Sequence, residues 1–229
     1  MMKIDIFSDV VCPWCFIGKK NLENAISLSK TNLGSIDIKI NWKMFQLNPL
    51  LPETGISRKE YLASKFGNET NSANIYKRIE NAGQLAGIKF NFNKIQVQPN
   101  SLQAHRLIAF IQTKKPNADI VEAVFRNFFI DGQDIGEPLV LEKIGLNYNI
   151  SKTEIIRYMS SNENRRKLFE ETIKVCKEQN LNGMCWQVLD WNEIAINFYK
   201  KYNSNISHEW LNGRLTKNQI EKFKKIYYI

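Results

Sequence analysis

The sequence predicts an α/β fold interrupted by a long helical block, and three observations carry this. Residues 3–8 read as a short strand that runs straight into a helix-forming stretch. Ile36, Ile38, Ile40, Trp42 and Met44 then alternate strictly with Asp37, Lys39, Asn41 and Lys43, the period of a strand with one apolar face. Strand, helix, strand in this order is a βαβ start. From about residue 57 to about residue 180 the apolar residues recur at helical spacing instead.

Each element has its own signal. In the first helix Cys15, Gly18, Leu22, Ala25, Ile26 and Ser29 share one face, and Pro13 suits its first turn, where a missing N–H costs nothing. Ser57-x-x-Glu60 and Ser151-x-x-Glu154 read as capping boxes. Ile75, Ile79, Ala82 and Leu85 form a stripe ended by Gly87. Leu102 to Ile111 is a helix. Ile120, Val121, Val124, Phe125 and Phe128 form a second stripe, ended by Gly132. Phe169, Ile173 and Cys176 share the face of a further helix, so Cys176 reads as a buried packing residue. After Gly183 the run from Met184 to Trp191 reads as a buried strand, Ile194 to Tyr202 as a helix and residues 206–211 as a strand. Thr216-x-x-Gln219 then caps a last helix with Ile220, Phe223 and Ile226 inward.

Composition narrows the function classes. Of 229 residues 43% are hydrophobic and 11% aromatic, enough for a sizeable core and against wholesale disorder. The formal charge of +9 is spread over short pairs such as Lys19-Lys20, Lys114-Lys115 and Lys224-Lys225, set among apolar helical patterns. No basic and aromatic motif accompanies it, so a nucleic-acid partner is not expected. No run reaches the roughly 18 apolar residues of a membrane span. Asp5 interrupts the first apolar stretch where a signal peptide would be uniformly apolar, and the chain therefore reads as cytoplasmic.

The chemistry-bearing motif is Cys12-Pro13-Trp14-Cys15. In a reducing compartment four cysteines are not a disulfide framework, and a C-x-x-C at a strand-to-helix junction reads as a redox motif. The attacking species in disulfide exchange is the thiolate. A sulfur at a helix N-terminus meets unpaired N–H groups and the positive end of the helix dipole, so Cys12 is expected to have a lowered pKa and to attack. Cys15, one turn on, is placed to resolve the mixed disulfide. Pro13 and Trp14 set the turn and tune the centre. Two thiols carry the electrons, so no cofactor is needed. A zinc site would require a second pair at similar spacing, which Cys176 and Cys185, with eight residues between them, do not form.

Several stretches together resemble the DsbA-like thioredoxin family, and within it the FrnE branch of cytoplasmic oxidoreductases, which is similar to 2-hydroxychromene-2-carboxylate isomerases. They are Ser8-Asp9-Val10-Val11-Cys12-Pro13-Trp14-Cys15-Phe16-Ile17-Gly18-Lys19, Phe45-Gln46-Leu47-Asn48-Pro49, Asn100 with Ala104-His105-Arg106-Leu107, and Gly132-Gln133-Asp134-Ile135-Gly136. The resemblance implies a thioredoxin fold with a large all-helical insert domain. Residues 1–55 and 181–229 would form the thioredoxin-like part and residues 56–180 the insert. It implies a thiol–disulfide oxidoreductase acting on a disulfide-containing protein or a small thiol, glutathione among them. The alternatives are a glutathione-dependent isomerase or transferase and a non-catalytic metal-binding module. Against the first alternative, the isomerases carry serine where Cys12 stands.

The resemblance also marks departures and further candidates. The family sets a cis-proline opposite its cysteines, and the corresponding stretch here reads Gly183-Met184-Cys185. Cys185 then stands in the proline's place, with a trans bond expected, since a cis bond before a non-proline residue costs about 3 kcal/mol. Met184 and Cys185 are therefore candidates for the substrate cleft or a third thiol; the plainer reading is a small residue buried in a strand. Asn100 and His105 are candidates for the cleft wall, and a histidine satisfied inside a helical interface is the competing reading.

Overall fold

The computed structural model describes residues 2–32, 38–67, 69–116, 118–160, 183–188, 205–206 and 211–216, together with Lys177 and Lys200. The chain divides into two compact units, Met1–Arg165 and Arg166–Ile229, each described by itself.

The first unit opens with β1 (Met2–Ser8), α1 (Pro13–Asn32) and β2 (Ile38–Met44). β1 and β2 pair in parallel from Met2↔Ile38 to Ser8↔Met44, as the βαβ pattern predicts. Two short strands follow, β3 (Ile56–Ser57) and β4 (Val97–Gln98), and they pair antiparallel. The helices are α2 (Arg58–Phe66), α3 (Glu69–Leu85), α4 (Leu102–Lys114), α5 (Ile120–Phe129), α6 (Pro138–Leu146) and α7 (Lys152–Ser160).

The two capping boxes end differently. At α7 the Glu154 N–H donates to Ser151 Oγ and the Ser151 N–H donates back to Glu154 Oε2, both at 3.3 Å. At α2 Ser57 makes no side-chain cap. Ser57 is paired with Val97 in the β3–β4 ladder, and the Arg58 N–H goes to Gln96 O at 2.8 Å, so the backbone meets the donor a cap would have served. The stripe on α3 also departs from expectation at its end. Leu85 is 91% exposed, and Ile88 is buried in its stead. Gly87 turns the chain at φ +81°, and the Ile88 N–H reaches Gly83 O at 2.7 Å, folding Ile88 under the helix.

The stripe on α5 is buried throughout and continues into Phe129. Its aromatics hold α1 in place. Phe16 stacks on Phe125 at 4.8 Å between centroids and meets Phe90 edge-on at 6.0 Å. After α5, Gly132 adopts φ +71°, and a Cβ there would lie 2.4 Å from Lys94 Cβ, so both the turn and the close approach require glycine.

A second tie between α1 and α5 is ionic. Lys19, with 2% of its side chain exposed, pairs with Glu23 and lies 3.1 Å from both Asp119 and Glu122. The three carboxylates are close enough to one another to share a cation, and that cation is the Lys19 ammonium. Burial alone would push the Lys19 pKa down, but the carboxylates outweigh it and hold it above its ordinary 10.5. Burial likewise opposes the Glu23 anion, and Lys19 outweighs that too, holding Glu23 below its ordinary 4.5. Lys19→Met should lower stability by about 2 kcal/mol in urea unfolding, less than a fully buried triad because Glu23 and Asp119 face solvent. The raised Lys19 pKa makes its contribution complete below 10.5 and lost as pH rises through the folded value. The depressed Glu23 pKa makes its contribution present above 4.5 and lost as pH falls. The clasp therefore stabilises between those limits, and the wild-type and variant stability curves should converge outside them.

The second unit contains an antiparallel sheet ordered β5-β7-β6, from β5 (Gly183–Val188), β6 (Asn205–Ile206) and β7 (Leu211–Thr216). β5 covers Met184 to Val188 of the strand expected from Met184 to Trp191. Of the single strand expected at 206–211, Ile206 is the end of β6 and Leu211 the start of β7, and Ile206 pairs antiparallel with Gly213. Within β5, Cys185 pairs with Arg214 and Met184 with Leu215. Among the described residues no peptide bond is cis. Cys176, the side chains of Met184 and Cys185, and the helices expected at 194–202 and after Thr216 lie outside the described residues.

Candidate active site

The Cys12–Cys15 motif sits where β1 hands over to α1. The buried side chains of Val10 and Val11 anchor the turn between them. The Cys12 N–H donates to Asp9 O at 3.1 Å, closing that turn, and Cys12 O accepts the first helical bonds from Cys15 N at 3.1 Å and Phe16 N at 3.4 Å. Cys12 is thus the N-cap of α1 and Pro13 its first residue, as expected. Both cysteines are free thiols and partly accessible. Trp14 between them is 51% exposed, and Cys15 packs on the hydrophobic core.

The pKa directions at the two sulfurs differ from the sequence-based expectation. The Cys12 pKa is raised well above its ordinary 9.0, chiefly because Cys12 hydrogen-bonds to the Cys15 sulfur, and then by burial and by the Cys15 charge. The Cys15 pKa is lowered, chiefly by that same bond, and further by the Ser8 hydroxyl and a backbone bond from Asp9. The helix N-terminus does act on Cys12, through a backbone bond from Cys15. More donors converge on Cys15, and they hold its pKa below that of Cys12. The buried Ser8 hydroxyl helps hold the Cys15 pKa down.

Residues outside the motif complete the site. Asp9 is 1% exposed. Its Oδ2 accepts the Leu47 N–H at 2.7 Å, and its Oδ1 accepts the Val11 N–H at 3.4 Å and lies 3.2 Å from His105 Nε2. Asn100 is equally well satisfied. Its Oδ1 accepts Gln46 Nε2 and the Leu102 N–H, both at 3.0 Å, and its Nδ2 donates to Leu51 O at 2.7 Å. Asn100, rather than Ser101, thereby caps α4. Gly136 packs on Pro99, where a Cβ would lie 3.2 Å from the proline Cβ. The separate stretches that carry the resemblance thus meet around Asp9 and Asn100. His105 and Asn100 are buried in this junction. Cys185 belongs to the second unit.

Asp9, Ser8 and Gln46 are the site residues that motif reasoning did not single out. The signal for Asp9 was available: a carboxylate three residues before a C-x-x-C, in a stretch otherwise apolar.

Comparison with known proteins agrees with this geometry. The family described as the DSBA-like thioredoxin domain matches residues 3–195. An uncharacterised protein, YwbO of Bacillus subtilis (strain 168), is 26% identical over 141 residues, 62% of this chain, and the match spans 63% of that protein. Among solved structures, a probable DsbA oxidoreductase from Streptomyces coelicolor is similar with a TM-score of 0.67 at 15% identity, over 91% of this chain and 93% of that one. The cytosolic disulfide reductase DsbM of Pseudomonas aeruginosa, solved with GSH, is similar with a TM-score of 0.53 at 12% identity, over 87% and 98%. At such identities the solved structures speak for the fold. With the family match running from β1 through the Cys12–Cys15 motif and the helices to beyond β5, the chain belongs to the DsbA-like thioredoxin domain family.

Proposed function

We propose that the protein is a thiol–disulfide oxidoreductase in which Cys12 attacks a disulfide and Cys15 resolves the product, with protein or small-molecule disulfides as substrates. The observation that carries this reading is the placement of two free thiols one turn apart at the head of α1, where the hydrogen bond between them pushes the Cys12 pKa up and the Cys15 pKa down. Attack by Cys12 then needs only the transfer of its proton along that bond to Cys15. The new Cys12–substrate disulfide releases one substrate thiolate. Cys15, once deprotonated again, attacks the Cys12 sulfur, forms the Cys12–Cys15 disulfide and releases the second. Pro13 and the exposed Trp14 tune the pair and meet the substrate. Glutathione is a suitable small-thiol partner, a reading supported by the DsbM likeness.

The same reading carries the division of the chain into residues 1–55 with 181–229 as the thioredoxin-like part and 56–180 as the insert. It also places the activity in the cytoplasm, where a reduced pair is maintained. No helix among the described residues is long and apolar enough to cross a membrane. The test is insulin disulfide reduction with a dithiol as electron source. Wild type should accelerate precipitation of the insulin chains, and Cys12→Ser should abolish the acceleration. Full activity in Cys12→Ser would overturn the assignment.

A further inference from the structure

Asp9 and His105 are 96 positions apart in the chain and both almost fully buried, Asp9 at 1% and His105 at 4% exposure. A carboxylate accepts and does not donate when ionised, so the ring nitrogen facing it, Nε2, carries the hydrogen. Asp9 uses its backbone and side chain on both sides of the redox turn. Its carbonyl accepts from Cys12 N, its carboxylate from Val11 N and Leu47 N, and its own backbone bonds to the Cys15 sulfur. A buried negative charge this close to two thiols opposes the ionisation of either.

We propose that His105 is a positioning residue of the redox centre: by donating from Nε2 into the buried Asp9 carboxylate 3.2 Å away, it offsets the charge Asp9 holds beside Cys12 and Cys15 and keeps the turn that carries them in place. The Asp9 charge raises the pKa of both cysteines, in agreement with this role. Four charged groups on the surrounding stretches are engaged elsewhere. Lys19 of α1 is held by Glu23, Asp119 and Glu122. Arg106 of α4 donates to Gln103 and to the carbonyls of Tyr158 and Met159. Asp5 of β1 accepts from Asn41, and Asp134 accepts the Gly136 N–H. The 45–51 stretch brings no ionisable side chain. Among the described residues His105 is the ionisable side chain within hydrogen-bond distance of the Asp9 carboxylate.

This inference rests on the pair being the redox centre, and it is tested without turnover. The thiolate titration of reduced protein, followed by ultraviolet absorbance or by the pH dependence of alkylation, reads the pair directly. His105→Leu should move the midpoint up by about 1 pH unit, the effect of exposing the thiols to an unoffset neighbouring charge. His105→Gln, whose amide can reach the carboxylate, should restore most of it. Asp9→Asn should move the midpoint down, and in that background His105→Leu should add nothing. An unmoved or lowered midpoint in His105→Leu, or an equal rise in the Asp9→Asn background, overturns the proposal. If His105→Leu does not fold, the wild-type protein answers. At a single pH its nitrogen-15 spectrum should show Nε2 of His105 carrying the hydrogen it gives to Asp9; a bare Nε2 overturns the proposal. Loss of insulin reduction with the coupling intact would refute the oxidoreductase reading and leave this one standing.

Discussion

Cys15→Ser should take substrate disulfide normally and then stop, accumulating a mixed disulfide between Cys12 and the substrate thiol. The first half-reaction needs only the Cys12 thiolate. In the wild type that thiolate is suppressed, because Cys12 gives its proton to a bond with the Cys15 sulfur. Replacing that sulfur by a hydroxyl removes both the competing anion and the like-charge repulsion, so alkylation of Cys12 should extend to lower pH than in the wild type. The second half-reaction loses its nucleophile. Well-oriented intramolecular reactions reach effective molarities of roughly 10⁵ M or more, so even a small part of that advantage leaves millimolar external thiol at least about 10³-fold slower. Mass spectrometry of the variant after exposure to oxidised glutathione should show one added glutathione, released by a strong reductant. Turnover within about tenfold of wild type, with no adduct, would mean that Cys15 does not resolve the intermediate.

The placement of that proton also shows where sequence reasoning stopped. Position at the head of a helix is visible in the sequence, and Cys12 does cap α1. The helix dipole acts on Cys12. The Ser8 hydroxyl and the Asp9 backbone, which the turn at 9–12 brings to Cys15, act on the other sulfur and have no signal in the motif. Likewise the Asp9–His105 contact and the Gln46–Asn100 contact join stretches 96 and 54 positions apart. Motif spacing locates such residues and says nothing of their partners.

The fold was legible for a related reason: its main signals are local. The change from period two at 36–44 to helical spacing gave β2 and the helices, and the order gave the parallel β1–β2 pair. Two identical S-x-x-E signatures separate what is local from what is not. Ser151, with no strand partner among the described residues, caps α7. Ser57 is claimed by Val97, forty positions on, and does not cap α2. Leu85 and Ile88 differ in the same way, because only the left-handed turn at Gly87 decides which of them reaches the core.

Phe16→Ala should be the most destabilising single change near the site, at about 3–5 kcal/mol, the usual cost of truncating a buried phenylalanine. Phe16 has no exposed surface, stacks on Phe125 and meets Phe90 edge-on, and also lies near Phe129. The cavity cannot collapse cheaply, because those neighbours are themselves locked on each other: Phe90 stacks on Phe92 at 4.8 Å, and Phe128 meets Phe129 at 4.8 Å. Domain stabilities run to about 5–15 kcal/mol, so this loss is a large share of the total. Phe16 follows Cys15 directly, and its N–H bonds to Cys12 O, so the first turn of α1 is held down by this ring. Local opening there should rise with the loss of packing, and native-state alkylation of Cys12 and Cys15 should accelerate accordingly. Phe16→Ala with Phe125→Ala should cost less than the sum of the two, since the second truncation removes a partner already lost. A change under about 1 kcal/mol in the urea midpoint of Phe16→Ala, with thiol reactivity unaltered, would show that the aromatic cluster does not anchor the redox helix.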